Sequence, residues 1–341
     1  MTQSRPTVVG ITQGVNQPST RFRWEQYTAY LHQSGLSVFE LGSHFGAYPP
    51  TSKIQRPGWF AASVSENALR VLRANKFDLR FLQRNLTSTL CTWEPLLKRP
   101  FVFDVDDAIF LGPRGASADK IAKAASLTIC GNNFLANHFD KLSDTVILPT
   151  AVDSDRFKPI GNRNTVFRKV IGWSGSSSGF KYLYAIESAL EKVLIRHPES
   201  MLKIVADVKP VFKSLPYERV IFEKWSSSRE VTVLQEFTVG IMPLDDDLWA
   251  RGKCSFKMLT YMAVGLPVVV SPVGMNNEIL ACGSCGFAAK TVDDWVDSIS
   301  CLFSTPDLAF EMGATGRAIV EDRYSKNAIA PKLAQLLNNQ L

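Results

Sequence analysis

Three closely spaced aspartates stand at the end of an apolar run that predicts a strand, Phe101–Val105. Asp104 falls within the run, and Asp106 and Asp107 follow it, at the carboxyl end where ligands of parallel sheets bind. Adjacent carboxylates can bind a hard cation, act as a phosphatase nucleophile pair, or orient a hydroxyl and stabilise developing positive charge. The structural alternative is that at least one of them caps the following turn.

A second cluster of chemically useful residues is basic. Arg251, Lys253 and Lys257 surround Ser255, where a helix is predicted to begin with Ser255 as its cap. The first turn of a helix offers free N–H groups to an anion, and a lysine there opposes the helix dipole. The segment, including Gly252, therefore predicts a diphosphate site, with solvated surface charges as the alternative.

Other candidates depend on single residues after predicted strands. Gly14, Arg21 and Arg23 follow the first strand, where a glycine loop before a helix can approach a phosphate, although surface charges are an almost equal alternative for the arginines. Trp225 also follows a strand and can border a nucleobase, although a core tryptophan is an equal alternative. The glycines at 172, 175 and 179 lack the dinucleotide-binding spacing, so the pattern does not favour a nicotinamide enzyme.

Short apolar runs alternate with amphipathic stretches along the whole chain, which indicates parallel sheets with crossover helices. The predicted strands are Thr7–Thr12, Ser37–Leu41, Leu79–Gln83, Phe101–Val105, Leu127–Cys130, Val146–Leu148, Lys169–Trp173, Leu202–Ala206, Val220–Phe222, Val239–Met242 and Pro267–Ser271. Predicted helices include Arg21–Gln33, ended by Gly35, and the two that close the chain, Asp307–Asp322 and Ala328–Asn338.

This pattern predicts an α/β protein with two Rossmann-like, doubly wound domains that face a cleft. The polar stretch Pro149–Asn164 is the predicted linker. We expect one domain over 1–155 and a second over 156–315. The remaining segment, 316–341, is predicted to pack back on the first domain as a helix.

Composition excludes several classes of protein. A chain of 341 residues is too long to fold around one small core. No apolar stretch reaches the ~20 residues that a membrane span needs. The N-terminus has no secretion signal, and six scattered cysteines are too few for a disulfide scaffold, so a cytoplasmic chain is expected. The net charge of +6 suits a phosphorylated ligand or an anionic membrane, whereas no basic tract indicates nucleic acid.

Several segments, in this order, resemble family 4 glycosyltransferases, and in particular a bacterial subgroup with an Asp-x-Asp-Asp-Ala motif. They are Arg21-Phe22-Arg23, Phe103–Ile109, Pro149–Asp153, Gly172–Ser176, Tyr261–Val270, Ser271–Gly274 and Glu278. The resemblance implies the GT-B fold, no metal, and transfer with retention from a nucleoside-diphosphate sugar. It places the acceptor in the domain 1–155 and the nucleotide sugar in the domain 156–315, with Gly175 and Ser176 at the donor and the aspartates at the acceptor. Alternation along the extended segment puts Asp106 on the same side as Asp104, so Asp106 is the first choice for catalysis and Asp107 turns towards the next helix as a cap.

The sequence departs from this family at the donor site. The family has two glutamates eight positions apart, which fall on Gly252 and Thr260, and Thr260 cannot chelate two ribose hydroxyls as a carboxylate does. The usual Arg and Lys of the first donor loop fall near Trp173 and Ser178. We expect Lys253 and Lys257 to supply the positive charge. Asp245, Asp246 and Asp247 either bind the sugar or form a solvated acidic turn.

The resulting hypothesis is a retaining glycosyltransferase of glycan or cell-surface polysaccharide synthesis. Its expected partners are a nucleoside-diphosphate sugar and a glycan or lipid-linked acceptor, with peripheral contact to the inner face of the membrane as an option. Two alternatives stay open. One is a non-catalytic nucleotide- or sugar-binding protein of the same fold, and the other is a phosphatase that uses Asp104.

Overall fold

The computed structural model describes residues 5–14, 17–112, 114–161 and 167–341, so residues 162–164 of the predicted linker lie outside the described residues. The chain separates into two compact units. The first unit contains Met1–Ala151, Arg251–Cys254 and Lys326–Leu341, and the second contains Val152–Ala250 and Ser255–Ser325.

The first unit is built on a six-stranded parallel sheet. Its strands are β1 (Thr7–Thr12), β2 (Ser37–Gly42), β3 (Leu79–Gln83), β4 (Phe101–Val105), β5 (Leu127–Cys130) and β6 (Thr145–Ile147), in the order β2-β1-β3-β4-β5-β6. The chain order reverses between β1 and β3, and such a switch point is where doubly wound sheets bind ligands. The register pairs Gln83 with Asp104, which brings the ends of β3 and β4 together.

Helices cover this sheet and close its core. They are α1 (Pro18–Arg23), α2 (Thr28–Gln33), α3 (Arg56–Ala74), α4 (Ala116–Ala124) and α5 (Asn133–Phe139), together with α14 (Lys326–Asn338) at the end of the chain. The apolar face of α14, including Ile329, Leu333 and Leu337, is buried in the same core as Trp24 and Tyr27. The last helix is therefore part of the first unit's core.

The second unit contains another six-stranded parallel sheet. Its strands are β7 (Val170–Ser174), β8 (Met201–Ala206), β9 (Val220–Lys224), β10 (Val239–Met242), β11 (Val268–Val270) and β12 (Gly286–Ala288), in the order β12-β11-β10-β7-β8-β9. This is the strand order of a dinucleotide-binding fold, with its switch point between β7 and β10. The prediction of two Rossmann-like sheets is confirmed.

The helices of the second unit follow its strands. They are α6 (Phe180–Ala185), α7 (Glu187–Arg196), α8 (Glu230–Leu234), α9 (Leu248–Arg251), α10 (Phe256–Ala263), α11 (Met275–Leu280), α12 (Val292–Ser304) and α13 (Pro306–Ile319). A wider helical turn, Val320–Tyr324, continues α13. Nearly continuous apolar strands such as β10 and β11 are buried on both faces, as parallel sheets require.

The prediction of one helix over Arg21–Gln33 is wrong. The backbone leaves the helical region at Trp24, with φ −133° and ψ −68°, and α1 and α2 are separated by a short 3-10 turn, Glu25–Tyr27. The Trp24 indole is fully buried and stacks on Phe81 at 4.9 Å between ring centroids. The free energy gained by burying this large side chain outweighs the cost of interrupting the helix.

Candidate functional site

In the first unit, Asp104 belongs to a buried ion pair. Its carboxylate accepts hydrogen bonds from Nε of Arg23, at 3.1 Å, and from Nη2. Arg23 also donates to the carbonyl of Leu148 at 2.7 Å. Burial lowers the pKa of Arg23, but the Asp104 carboxylate outweighs burial and raises it, so the guanidinium stays charged. Because both side chains are sealed from solvent and committed to each other, this geometry argues against the predicted phosphate contact of Arg23 and a chemical role for Asp104.

Asp106 and Asp107 face a different cation, Arg84, which follows β3. Arg84 Nε pairs with Asp106 Oδ1, and Nη2 lies 3.6 Å from Asp107 Oδ2. The side chains of Arg84, Asp106 and Asp107 retain 15%, 11% and 19% of their exposure, so Asp106 and Asp107, the rim carboxylates, keep a small contact with solvent that Asp104 lacks. The prediction that Asp107 caps the next helix is wrong, since Asp107 Oδ1 accepts from the adjacent Ala108 N–H and α4 begins only at Ala116.

The two rim carboxylates differ in their affinity for protons. Burial acts to raise the pKa of Asp106, but the contact with Arg84 outweighs it and holds that pKa below the usual value. Burial also raises the pKa of Asp107, and Arg84 and Lys253 offset it only in part. Asp106 therefore stays ionised at lower pH than Asp107.

The segment Arg251–Cys254 packs against this aspartate motif inside the first unit. Asn132 Nδ2 donates to the carbonyls of Gly252 and Lys253, both at 3.1 Å, and Asn132 Oδ1 caps α5. A Cβ at Gly252 would lie 2.5 Å from Ala108 Cβ, so only glycine fits. The structure thus brings together Asp106, Asp107, Gly252 and Lys253, which were predicted as two separate sets.

The thiol of Cys254 completes this junction. Its Sγ donates to the carbonyl of Asp106 at 3.1 Å, and burial raises the pKa of the thiol to about 12. Cys254 is therefore a neutral donor that fixes the backbone beside the carboxylate. Arg251, three residues before Cys254 in the sequence, is exposed.

In the second unit, Lys257 of α10 lies at the carboxyl end of β7. Its ammonium stands 4.6 Å from the centroid of the Trp173 ring. A Cβ at Gly175 would lie 2.9 Å from Lys257 Nζ, so the glycine leaves the space that the ammonium occupies. The predicted donor residues Gly175 and Lys257 are therefore neighbours at the switch point of the second sheet.

The loop after β7 is held by its own hydrogen bonds. Ser177 donates from its N–H and its hydroxyl to the two oxygens of Asp207, at 2.6 and 2.8 Å. Ser176 is exposed, and its hydroxyl lies 2.7 Å from that of Ser178. The loop is thus fixed before any ligand binds, while Ser176 faces solvent.

The hydroxyls of Ser255 and Thr260, at the start and within α10, are both used in hydrogen bonds of the second unit. Ser255 occupies the N-cap position of α10 as predicted, but its side chain does not cap the helix, because the residue has a left-handed φ of 50° and its hydroxyl donates to Asn276 Oδ1 at 2.7 Å. Thr260 is buried within α10, where its hydroxyl donates to the carbonyl of Lys257 at 2.8 Å. The hydroxyl donor of Thr260 is thus used inside the helix.

The remaining candidates lie at other strand ends. Gly14 follows β1 with φ +96°, and a Cβ there would lie 2.5 Å from the carbonyl oxygen of Ser43. Trp225 is 39% exposed after the edge strand β9, two strands and therefore roughly 10 Å from β7. Asp245 and Asp247 each lie 3.9 Å from Lys181 Nζ, and Asp247 caps α9 by accepting from Ala250 N–H.

The described residues contain neither a group of metal ligands nor a membrane-spanning helix. In the described parts of the chain, no group of three or more His, Cys, Asp or Glu side chains could hold a metal ion. None of the helices described is long and apolar enough to cross a membrane.

Residues 168–305 match the family described as Glycosyl transferases group 1. Apart from Arg251–Cys254, the matched residues belong to the second unit. The comparison with curated proteins gave no match.

Solved structures resemble the chain over nearly its whole length. Sucrose-phosphate synthase from Thermosynechococcus elongatus has a TM-score of 0.71 and 14% identity, covering 98% of this chain and 99% of that chain. HepE from Anabaena, in complex with UDP and glucose, has a TM-score of 0.69 and 14% identity over 98% and 100%. WaaG, a glycosyltransferase involved in lipopolysaccharide biosynthesis, has a TM-score of 0.67 and 15% identity over 97% and 99%. These likenesses confirm the GT-B fold.

Sequence reasoning missed two residues that organise the site. Arg84 pairs with aspartates 22 and 23 positions away, and Asn132 bonds to carbonyls more than a hundred positions away. The available signal was weak: Arg84 follows a predicted strand, and Asn132 precedes a helix as a typical cap. Neither signal shows which partner the side chain meets.

Proposed function

We propose that this protein is a glycosyltransferase that moves a sugar from a nucleoside-diphosphate sugar to a glycan or lipid-linked acceptor, with retention at the anomeric carbon. The pathway we infer is glycan or cell-surface polysaccharide synthesis. The group 1 match of the second unit and the GT-B fold support sugar transfer. The retaining outcome comes from the resemblance of the sequence motifs.

One observation carries this proposal: the Arg251–Cys254 segment is fixed against the carboxylates of the first unit. The Asn132 bonds and the Cys254 thiol hold Gly252 and Lys253 beside Asp106 and Asp107. Lys253 can supply positive charge to the leaving diphosphate. The neighbouring carboxylates of Asp106 and Asp107 can stabilise the positive charge that develops on the sugar.

In the second unit, we assign diphosphate binding to the region where Lys257 meets the loop after β7. A lysine ammonium beside glycine backbone and the first turn of α10 offers charge-assisted hydrogen bonds to phosphate oxygens. Protein cations then neutralise the diphosphate, and the proposed site needs no metal.

The chemical step that we propose uses no covalent intermediate with the protein. The acceptor oxygen forms a bond to the anomeric carbon while the bond from that carbon to the phosphate oxygen breaks. The bonding electron pair leaves with the diphosphate, which takes the proton of the acceptor hydroxyl. Attack on the face of departure gives retention, and Asp106 and Asp107 orient the hydroxyl and stabilise the positive charge on the sugar.

One alternative, a non-catalytic binding protein of the same fold, has an observation in its favour. The Thr260 hydroxyl donates to Lys257 O, and threonine cannot chelate a ribose as the family's glutamate does. A phosphatase that uses Asp104 is disfavoured, because a nucleophile must reach phosphorus and Asp104 is sealed by Arg23.

Release of nucleoside diphosphate separates these functions. Purified protein incubated with a panel of UDP-, GDP- and dTDP-sugars and mixed glycan acceptors should release one diphosphate and yield an α- or β-product of unchanged anomeric configuration, read by NMR. Binding of a donor without transfer or hydrolysis would support the non-catalytic alternative. An inverted product would contradict the proposed retention.

We also propose peripheral contact with a membrane surface, through residues 45–60 of the first unit. This stretch exposes Phe45, Tyr48, Ile54 and Phe60, carries Lys53 and Arg56, and contains no acidic residue. Exposed aromatic and aliphatic side chains with flanking cations suit an anionic bilayer interface. We expect the protein to sediment with anionic vesicles but not with neutral ones, and Ile54→Ser to reduce this sedimentation. Equal recovery with both kinds of vesicle would contradict the proposal.

A further inference from the structure

Arg84 occupies an unusual backbone position. Its φ is +53°, a left-handed conformation that side chains other than glycine rarely adopt. The Arg84 N–H donates to the carbonyl of Asp104 at 2.9 Å, which ties the end of β3 to β4. Such conformations persist only where the surroundings hold them, and they cluster at functional sites.

The guanidinium of Arg84 reaches both rim carboxylates from this position. Nε contacts Asp106 Oδ1, and Nη2 lies 3.6 Å from Asp107 Oδ2. Because the three side chains are mostly buried, water screens their charges less than it would at an open surface. Arg84 therefore pairs with two carboxylates of the same motif, Asp106 and Asp107.

We propose that Arg84 is a positioning residue, which holds Asp106 and Asp107 in a fixed orientation and keeps both ionised during sugar transfer. This inference rests on the proposed function. Arg84 acts through the carboxylates and has no assigned contact with substrate. Two unpaired carboxylates so close together would repel each other, and one would take up a proton.

The other charged groups around the pair do not replace Arg84. Arg23 is committed to Asp104, and Lys253 affects Asp107 from the opposite segment. Asp104 adds negative charge, and the Cys254 thiol is neutral. Tyr48 interacts with Arg84 itself. Asp107, whose pKa is raised, is the first of the two rim carboxylates to protonate as pH falls, so the acid limit of activity reports on it.

The test compares Arg84→Gln with Arg84→Lys and with a matched control, Arg99→Gln. Arg99 belongs to the same unit, and its guanidinium bonds only to backbone carbonyls in the described structure, such as Ala124 O and Ala125 O. We expect Arg84→Gln to lower turnover about 100-fold and to shift the acid limb upward by about one pH unit or more. Affinity for UDP should stay unchanged.

The conservative variant separates charge from geometry. Arg84→Lys should keep the acid limb at the wild-type pH but leave turnover reduced, because lysine lacks the planar fork that reaches two carboxylates. Wild-type turnover in Arg84→Lys would overturn the positioning role. An unshifted acid limb in Arg84→Gln, or an equal shift in Arg99→Gln, would overturn the charge role.

A readout without catalysis keeps this inference distinct from the proposed function. Carboxyl ¹³C NMR titration, with signals assigned from Asp106→Asn and Asp107→Asn, should show the Asp107 pKa rising in Arg84→Gln and not in Arg99→Gln. If the wild-type protein transfers no sugar from any donor, the proposed function fails and this titration still decides the role of Arg84. An Asp107 pKa that is equal in all three proteins would overturn it. If Arg84→Gln does not fold, Arg84→Lys decides by its turnover.

Discussion

The two units place cations at their strand ends in contrasting surroundings. In the first unit, Arg23 and Arg84 each face carboxylates of one motif. In the second unit, Lys257 packs over the Trp173 ring and beside the backbone of Gly175. A guanidinium that neutralises aspartates leaves little charge to attract a diphosphate, whereas a cation beside glycine backbone can be approached by phosphate oxygens. This contrast supports the proposal that Lys257 of the second unit binds the diphosphate, whereas the first unit supplies the carboxylates, with Lys253 as additional countercharge beside them.

A second contrast lies within the first unit, where Asp104 and Asp106 are two positions apart. Asp104 is sealed with Arg23, and Asp106 keeps 11% of its exposure beside Arg84. Asp104 thus stabilises the fold, whereas Asp106 keeps contact with solvent. We therefore expect substitution of Asp104 to change mainly stability and substitution of Asp106 to change mainly turnover.

The largest expected effect is the loss of stability in Asp104→Asn. Removing one partner of a buried ion pair costs about 3–5 kcal/mol, because it leaves the Arg23 charge uncompensated. Urea unfolding should show this loss for Asp104→Asn and almost none for Asp144→Asn, an exposed aspartate of the same unit. Equal midpoints for the two variants would mean that the Arg23 pair is not structural.

The next effect is weaker diphosphate binding in Lys257→Ala. Loss of a charge-assisted hydrogen bond costs about 1.5–3 kcal/mol, or roughly a ten- to hundredfold loss of affinity. Calorimetry with UDP should show this loss, while Arg84→Gln binds UDP as the wild type does. Wild-type affinity in a folded Lys257→Ala protein would remove Lys257 from the site and abolish the contrast between the units.

A small effect is expected for Thr260→Val, which keeps the side-chain shape and removes the hydroxyl. The hydroxyl bonds to Lys257 O inside α10, so its loss should cost at most about 1 kcal/mol and leave UDP affinity within about tenfold. Titration with UDP and 2′-deoxy-UDP measures this. A larger loss seen with UDP alone would show that Thr260 binds the ribose.

No effect is expected from chelation of divalent metal. Protein cations of the second unit are proposed to neutralise the diphosphate, so UDP affinity should be equal with and without EDTA. A requirement for a divalent cation would contradict the division of charge between the two units.

The sequence predicted the sheets well and the polar network poorly. Every predicted strand is present with its ends shifted by at most two residues, because buried parallel strands read as continuous apolar runs. The break at Trp24 depends on the distant ring of Phe81, which no local pattern reveals. The contact of Arg84 with Asp106 depends on the register of β3 against β4, and the packing of Gly252 on Ala108 depends on tertiary folding.

We propose that Asp106 and Asp107 act in sugar transfer and not in donor binding. The measurement is a pair of values for Asp106→Asn and for Asp107→Asn: the dissociation constant of the nucleoside diphosphate and the rate of transfer. Each Asn keeps the size of the side chain and removes its charge, so we predict nearly unchanged affinity with turnover lowered at least ~100-fold in Asp106→Asn. Wild-type transfer rates in both variants would contradict the account.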